Sequence, residues 1–312
     1  MAMRLVLYRK KWCVYVERGR RISLHTDDRG IAERRFADMK AKANRKTVTV
    51  AQIVTDYMEA RKSVPSYKVM KFYWKNAERH FGSLLPEHIT GEVCQAYIKS
   101  RPSAAAETLR KEIGLVRAAV RWKDRSSPAV FEMPPSSPPR ETYLTRDQYK
   151  VLLNACDRHY LKLYVMLAIA TAGRKSAILE LTWDRVDFER GLIALGKGEK
   201  RMKGRATVPM TESLRVELEK AKEASLSEFV IEHGARQVKE IGKGFRQAAK
   251  RAKLKVTPHD LRRSAAIWMA EARVPMSEIA AYLGHKNSRI TEEVYAKYSP
   301  DYLRVASKAL EI

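Results

Sequence analysis

The sequence predicts a multidomain chain: a small β-rich module of three strands and a helix, then an all-α domain, then an α+β, mainly helical domain. Three observations predict it. At about 150 residues per domain, 312 residues exceed a single domain. Apolar residues alternate with period two only before residue 25, and recur with helical period beyond it. Between Met133 and Arg140, four prolines in six residues cannot continue a helix and favour an extended, semi-rigid linker. These features set the modules at 1–45, 46–132 and 141–312, with the linker at 133–140.

The first module rests on three short alternating runs, Leu5/Leu7, Trp12/Val14/Val16 and Ile22/Leu24. Basic or glycine-containing turns separate them, and a helix is expected over Ile31–Lys42. Arg18, Arg20 and Arg21 lie on or beside these strands, where they can face a nucleic-acid groove. In the second module Thr49 is placed to cap a helix carrying Ile53, Val54, Tyr57 and Met58. A helix over Tyr67–Phe81 should end at Gly82, a C-terminal signal. Thr90-Gly91-Glu92 opens a third helix and Ala104–Lys123 forms a fourth. In the third module a helix starts at Thr145–Asp147, and the apolar run Leu161–Ala172 predicts a buried one. Leu192–Leu195 and Arg205–Pro209 read as two strands of a hairpin around the basic Gly196–Gly204 turn.

Composition narrows the function classes. Hydrophobic residues make up 45% of the chain, enough to bury real cores and exclude wholesale disorder. No run approaches the roughly 18 apolar residues of a membrane span, and the N-terminal segment lacks a leader-like apolar stretch. Cys13, Cys94 and Cys156 are too scattered for a disulfide scaffold or a Cys-rich zinc site, so a cytoplasmic, reducing compartment is expected. The formal net charge is +25, divided as +9 over residues 1–50, +6 over 51–140 and +10 over 141–312. Such an excess repels itself unless a polyanion offsets it, and its spread implies contact along the whole chain. Nucleic acid is the expected partner, held in a strongly salt-dependent way.

Several residues lie where chemistry is done. In Thr171-Ala172-Gly173-Arg174, Gly173 is expected to permit a tight turn that sets Arg174 at a helix N-terminus, where backbone N–H groups favour an anion. Thr257-Pro258 signals a helix start and puts His259 and Arg262 one turn apart. Leu283-Gly284 ends another helix and leaves His285 exposed just beyond it, with Tyr295 ten residues later.

With these residues in view, the C-terminal module resembles the catalytic domain of the tyrosine recombinases, the phage-integrase family. The matching pieces, in the family's order, are Thr171-Ala172-Gly173-Arg174, Leu181-Thr182-Trp183-Asp184, Thr207-Val208-Pro209-Met210, His259-Asp260-Leu261-Arg262-Arg263, Leu283-Gly284-His285 and Val294-Tyr295. The resemblance implies a site-specific recombinase that cleaves and rejoins double-stranded DNA through a 3′-phosphotyrosine, integrating or excising a phage or mobile element. It implies Tyr295 as nucleophile, Arg174 and Arg262 as a phosphate clamp, His259 for proton transfer, and His285 as a phosphate hydrogen-bond partner. A hairpin lysine would protonate the leaving 5′-oxygen. Lys203 best fits the family's context, with Lys200 and Lys197 as alternatives that would otherwise contact the DNA backbone. Arg263 would be structural or touch that backbone. No metal or nucleotide cofactor is implied. The first two modules would bind arm-type and core sites, the second by a helical fold like the family's SAM-like core-binding domain. The chain would act as a homo-tetramer joined through its C-terminal tail, with an accessory DNA-bending protein as a further partner.

The sequence departs from the family pattern in two places. Tyr295 lies one residue farther from His285 than the family's spacing, and Tyr298 and Tyr302 follow at helical intervals, so all three can share a face. Ala177 stands where many relatives carry an acid, with Glu180 one turn away. The competing function classes are a non-catalytic DNA-binding protein, which has no need of the five catalytic residues together, and a type IB topoisomerase-like enzyme, which has no need of the N-terminal module.

Overall fold

The structure, a computed structural model, describes residues 3–16, 20–44, 48–138, 140–196, 206–285, 287–308 and 310–311. It divides into two units, Met1–Pro139 and Arg140–Ile312, so the break falls at the end of the proline-rich stretch.

In the first unit, β1 (Met3–Tyr8), β2 (Lys11–Val16) and β3 (Arg20–Ser23) form an antiparallel sheet in that order. Leu5, Val14 and Ile22 align across its inner face, which packs with Leu24 and with Ala32 of α1 (Arg29–Asn44). Arg9 and Lys10, both at positive φ (48° and 61°), make the two-residue turn between β1 and β2 without glycine. On the other face Tyr15 pairs with Arg4 and Arg21, and the Arg21 guanidinium lies 3.9 Å from the Tyr8 ring centre.

Four helices follow: α2 (Val50–Glu59), α3 (Tyr67–Phe81), α4 (Gly91–Ser100) and α5 (Ala106–Lys123). Thr49 and Thr90 cap α2 and α4 by accepting from Gln52 N and Val93 N. The expected stripe of Ile53, Val54, Tyr57 and Met58 is buried against Trp74, Ala77, Phe81 and the apolar side of α5. Gly82 does end α3, but at φ −61° it is right-handed and is no left-handed cap. A fully buried carboxylate, Glu112 of α5, accepts from Asn76 Nδ2 (2.9 Å) and Tyr97 Oη (2.8 Å) and pairs with Arg101. That network ties α3, α4 and α5 together.

The second unit opens with α6 (Arg146–Asn154), fixed by a Thr145/Gln148 capping box. Next comes α7 (His159–Ala170), apolar and largely buried as its composition predicts, and then α8 (Lys175–Leu179). The strands β4 (Val186–Asp187), β5 (Leu192–Ala194) and β6 (Thr207–Pro209) form an antiparallel sheet. β4 and the short hairpin β7 (Glu232–His233)/β8 (Arg236–Gln237) escape sequence reading because two-residue strands carry no periodicity. The helices α9 (Glu212–Glu223), α10 (Gly242–Arg251), α11 (Pro258–Glu271), α12 (Met276–Tyr282), α13 (Arg289–Tyr295) and α14 (Arg304–Lys308) complete it. Tyr295, Tyr298 and Tyr302 do not share one helix: α13 stops at Tyr295, a 3₁₀ turn spans Ala296–Tyr298, and Ser299 is extended (ψ 133°) ahead of Pro300. Among the described residues, no helix is long and apolar enough to cross a membrane.

The turn between α7 and α8 corrects one expectation. The left-handed residue is Ala172 (φ 47°), not Gly173. Thr171 fastens the turn by donating to Leu167 O (2.6 Å) and accepting from Gly173 N (3.2 Å). Gly173 is needed for space instead: a Cβ there would lie 2.9 Å from Ile178 Cγ1 and Thr171 Oγ1 and 3.1 Å from Leu195 Cδ1. Gly173→Ala should therefore overpack this corner and destabilise the chain by about 1–3 kcal/mol. Denaturant unfolding followed by fluorescence tests this, and a wild-type midpoint would remove the packing explanation.

Candidate active site

The site grows from the N-terminus of α11. Thr257 donates through both its backbone N (2.7 Å) and its Oγ1 (2.8 Å) to Asp260 Oδ2, and Pro258 occupies the first turn. Asp260 is buried and also pairs with Arg140 (3.1 Å), whose guanidinium reaches Lys255 O (3.0 Å). This pinned first turn carries His259, which is exposed, and Arg262, only 5% exposed.

Arg262 joins three segments. Its Nη1 donates to Ala172 O (2.6 Å), and its Nη2 donates to Leu283 O (2.7 Å) and to His285 Nε2 (3.2 Å). Its partners are carbonyls and an imidazole rather than a carboxylate, so burial, aided by the Arg174 charge, pulls it down to about 10. His285 lies beyond α12, where Gly284 is left-handed (φ +64°) and Gly284 N and His285 N close on Ala281 O and Ala280 O. His285 is half-buried rather than exposed as its place after a helix end suggests, and its Nδ1 is 2.9 Å from Thr291 Oγ1. Burial, Arg262 and Arg174 all lower its proton affinity. Burial and then the Arg262, Arg263 and Arg174 charges lower that of His259, against Asp260.

Arg174 stands in extended conformation (φ −71°, ψ 145°) immediately before α8. A cleft of about 480 Å³ is lined by Gly173, Arg174, Lys175, Pro258, His259 and Arg262 among others. Tyr295, the last residue of α13, is 8% exposed and packs in a cluster with Ala265, Ala266 and Leu283. Burial raises its phenol, while Arg263 and Arg262 pull it the other way. Tyr298 packs edge-on against Tyr143 (5.6 Å), whereas Tyr302 is exposed.

The structure thus gathers Arg174, His259, Arg262, His285 and Tyr295 in the second unit, linked by contact or electrostatically. Arg263 adjoins them with its Nη1 buried and unpartnered among the described residues. Ala177 is buried in the main core, and the Glu180 backbone carbonyl accepts from Arg185. Lys197, Lys200, Lys203 and Arg18 lie outside the described residues. Arg20 and Arg21 belong to β3 of the first unit. Sequence reading overlooks Asp260 as a cap, although Thr-x-x-Asp is a capping signature, and it overlooks Arg140 and Thr291, which carry no local signal.

Comparison with known proteins gives the family and the fold. The phage integrase family model matches residues 142–301. The tyrosine recombinase XerA of Thermococcus kodakarensis is 28% identical over 218 residues, covering 66% of this chain and 76% of that protein. A lambda integrase tetramer solved on a Holliday junction shares the fold with a TM-score of 0.66 at 19% identity, covering 96% of this chain and 95% of that one. The Tn1549 transposon integrase, solved with transposon end DNA, gives 0.71 at 18% identity, covering 84% and 99%.

The suppressed imidazoles have a consequence for stability. Both His259 and His285 titrate below the ordinary value of 6.5 in the fold. As pH drops through 6.5 the unfolded chain takes up protons that the fold resists, so stability, complete above 6.5, declines on acidification. The denaturant midpoint should fall between about pH 7.5 and 5.5, and the double variant His259→Gln/His285→Gln should flatten that slope. An unchanged slope would show that neither imidazole is suppressed.

Proposed function

The chain belongs to the phage integrase family and is a site-specific DNA recombinase of the tyrosine type, and from that premise we propose that Tyr295 is its nucleophile. The observation that carries this reading is Arg262: a buried cation, bonded to carbonyls and to His285 and opening on a cleft it shares with Arg174 and His259. Such a cleft suits a phosphodiester anion.

In the proposed reaction Tyr295 Oη attacks the scissile phosphorus and forms a 3′-phosphotyrosine, and the bond to the 5′-oxygen breaks. His259 receives the phenolic proton. Arg174 and Arg262 hold the non-bridging oxygens, on which negative charge accumulates at the five-coordinate stage. His285 donates a hydrogen bond to the same phosphate. A hairpin lysine, Lys203 or in its place Lys200 or Lys197, protonates the departing 5′-oxygen. Attack of a 5′-hydroxyl from a partner strand reverses these steps and completes the exchange. The scheme assigns all charge compensation to side chains and none to a metal ion.

The β-sheet face bearing Arg4, Tyr15 and Arg21 would bind arm-type DNA, and the helical domain would bind the core site with the catalytic unit. An accessory bending protein would bring the two kinds of site together. Assembly would be tetrameric, like the lambda integrase tetramer bound to a Holliday junction. Exposed Leu303 (63%) and Leu310 (80%) of the tail would enter a neighbour's groove of about 380 Å³ lined by Tyr149, Met166, Trp268 and Met269.

Two experiments test the scheme on a nicked suicide duplex whose site is selected from a random pool by binding to the full chain. Wild type should give an SDS-resistant adduct that Tyr295→Phe abolishes, and Arg174→Ala or Arg262→Ala should slow its formation about 10²–10³-fold. An adduct from Tyr295→Phe would assign the nucleophile elsewhere. Deleting residues 303–312 or substituting Met269→Lys should leave single-site binding intact and remove the tetrameric species on native gels. Persistence of that species in both variants would rule out docking of the tail in trans.

A further inference from the structure

His285 has two ring nitrogens, and the structure gives each a partner. Nε2 faces Arg262 Nη2 at 3.2 Å, and Nδ1 faces Thr291 Oγ1 at 2.9 Å. A guanidinium has five donors and no acceptor, so Nε2 must accept. A neutral imidazole carries one proton, and with Nε2 accepting that proton must sit on Nδ1 and be donated to the threonine oxygen. Thr291 is fully buried, the third residue of α13 and one turn before Tyr295, so no water replaces it as the Nδ1 acceptor. The charged groups facing this imidazole are Arg262, from α11, and Arg174, ahead of α8. Both are cations, and both oppose a second proton.

This tautomer cannot serve the reaction as it stands. A lone pair on Nε2 repels a phosphate oxygen, whereas the role assigned above needs a donor there. An arriving phosphodiester changes the balance: its negative charge offsets Arg174 and Arg262 and draws Arg262 Nη2 toward its own oxygens. Nε2 then loses its donor and gains an anion beside it.

We propose that Thr291 is a positioning residue that holds the Nδ1 proton of His285, so that the ring waits neutral in the free protein and takes up a second proton, on Nε2, from solvent when the scissile phosphate binds. The inference rests on the recombinase reading above. It adds that engagement of the phosphate is coupled to proton uptake, and that hydroxyl acceptance at position 291 sets which nitrogen faces the substrate.

The test combines three readouts. In the ¹⁵N-histidine spectrum of the full chain, with His285 identified by its absence in His285→Gln, the free protein should show protonated Nδ1 and bare Nε2. In Tyr295→Phe bound to the selected duplex, the same ring should be doubly protonated at neutral pH. Thr291→Val should mix the tautomers and slow adduct formation by wild-type Tyr295 about 10–100-fold, with duplex affinity unchanged and with Thr291→Ser restoring the rate. Unchanged duplex affinity guards against misfolding, and the serine rescue separates the hydroxyl from mere packing. A free protein with Nε2–H, or Thr291→Val cleaving at the wild-type rate, would overturn the proposal. Failure of the recombinase reading is distinguishable, since wild type would then form no adduct whatever the tautomer.

Discussion

The site depends on one buried cation. A guanidinium taken out of water carries a large desolvation penalty that hydrogen bonds must offset. Arg262 offsets part of that penalty with three hydrogen bonds, to the Ala172 carbonyl in one loop and to the Leu283 carbonyl and the His285 imidazole in another. Ala172 precedes Arg174, Leu283 precedes His285, and Arg262 itself lies one turn from His259. One side chain therefore sets the mutual placement of the loops that carry the other cationic groups. It also explains the strained backbone at Ala172: a left-handed alanine costs of the order of 1–3 kcal/mol and persists only where its surroundings over-determine it. Here Thr171 closes the turn on one side and Arg262 holds the Ala172 carbonyl on the other.

Because Arg262 has no carboxylate on it, its charge is not cancelled locally and is felt by its neighbours. Arg174 lowers it, and both arginines suppress the imidazoles of His259 and His285. Tyr295 is pulled both ways, up by burial and down by Arg263 and Arg262. Like charges are thus held close together around Arg262. The overall +25 does different work. Charge spread over both units attracts DNA of any sequence and is screened by salt, whereas the buried cluster is screened much less.

Much of this arrangement was legible in the sequence because it rests on local rules. Thr49, Thr90 and Thr145 act as caps where their side chains predict it, and the three strands fall where period-two runs stand between basic turns. The shared helical face expected for Tyr295, Tyr298 and Tyr302 fails, although Ser299 precedes a proline and is biased to extended backbone. What sequence reading mistook or missed depends on tertiary contact. Gly173 looks like a conformational glycine, but the space around it is set by Leu195, some twenty residues away in a strand. Gly82 has the position of a cap without the conformation. Thr291 is one more threonine on a short helix until His285 is folded against it.

The first residues after the proline-rich stretch connect the two halves of the site. Arg140 pairs with Asp260 at the start of the helix that holds His259 and Arg262. Glu141 pairs with Lys297 (2.6 Å), and Tyr143 packs on Tyr298, both just beyond Tyr295. Leu144 N donates to Ser264 Oγ (2.8 Å), and Leu144 O accepts from Trp268 Nε1 (2.9 Å), on the body of α11. The solvent-exposed Glu141–Lys297 pair contributes little by itself. The buried contacts are the stronger part: Leu144 is in the main core, and Ser264 and Asp260 are buried polar groups satisfied by this segment. Residues 140–144 therefore form a common support for the helix that bears Arg262 and the turn that follows Tyr295. Neither can shift against the other without breaking contacts to this five-residue segment, so Arg262 and Tyr295 are held in register by the stretch that begins the second unit.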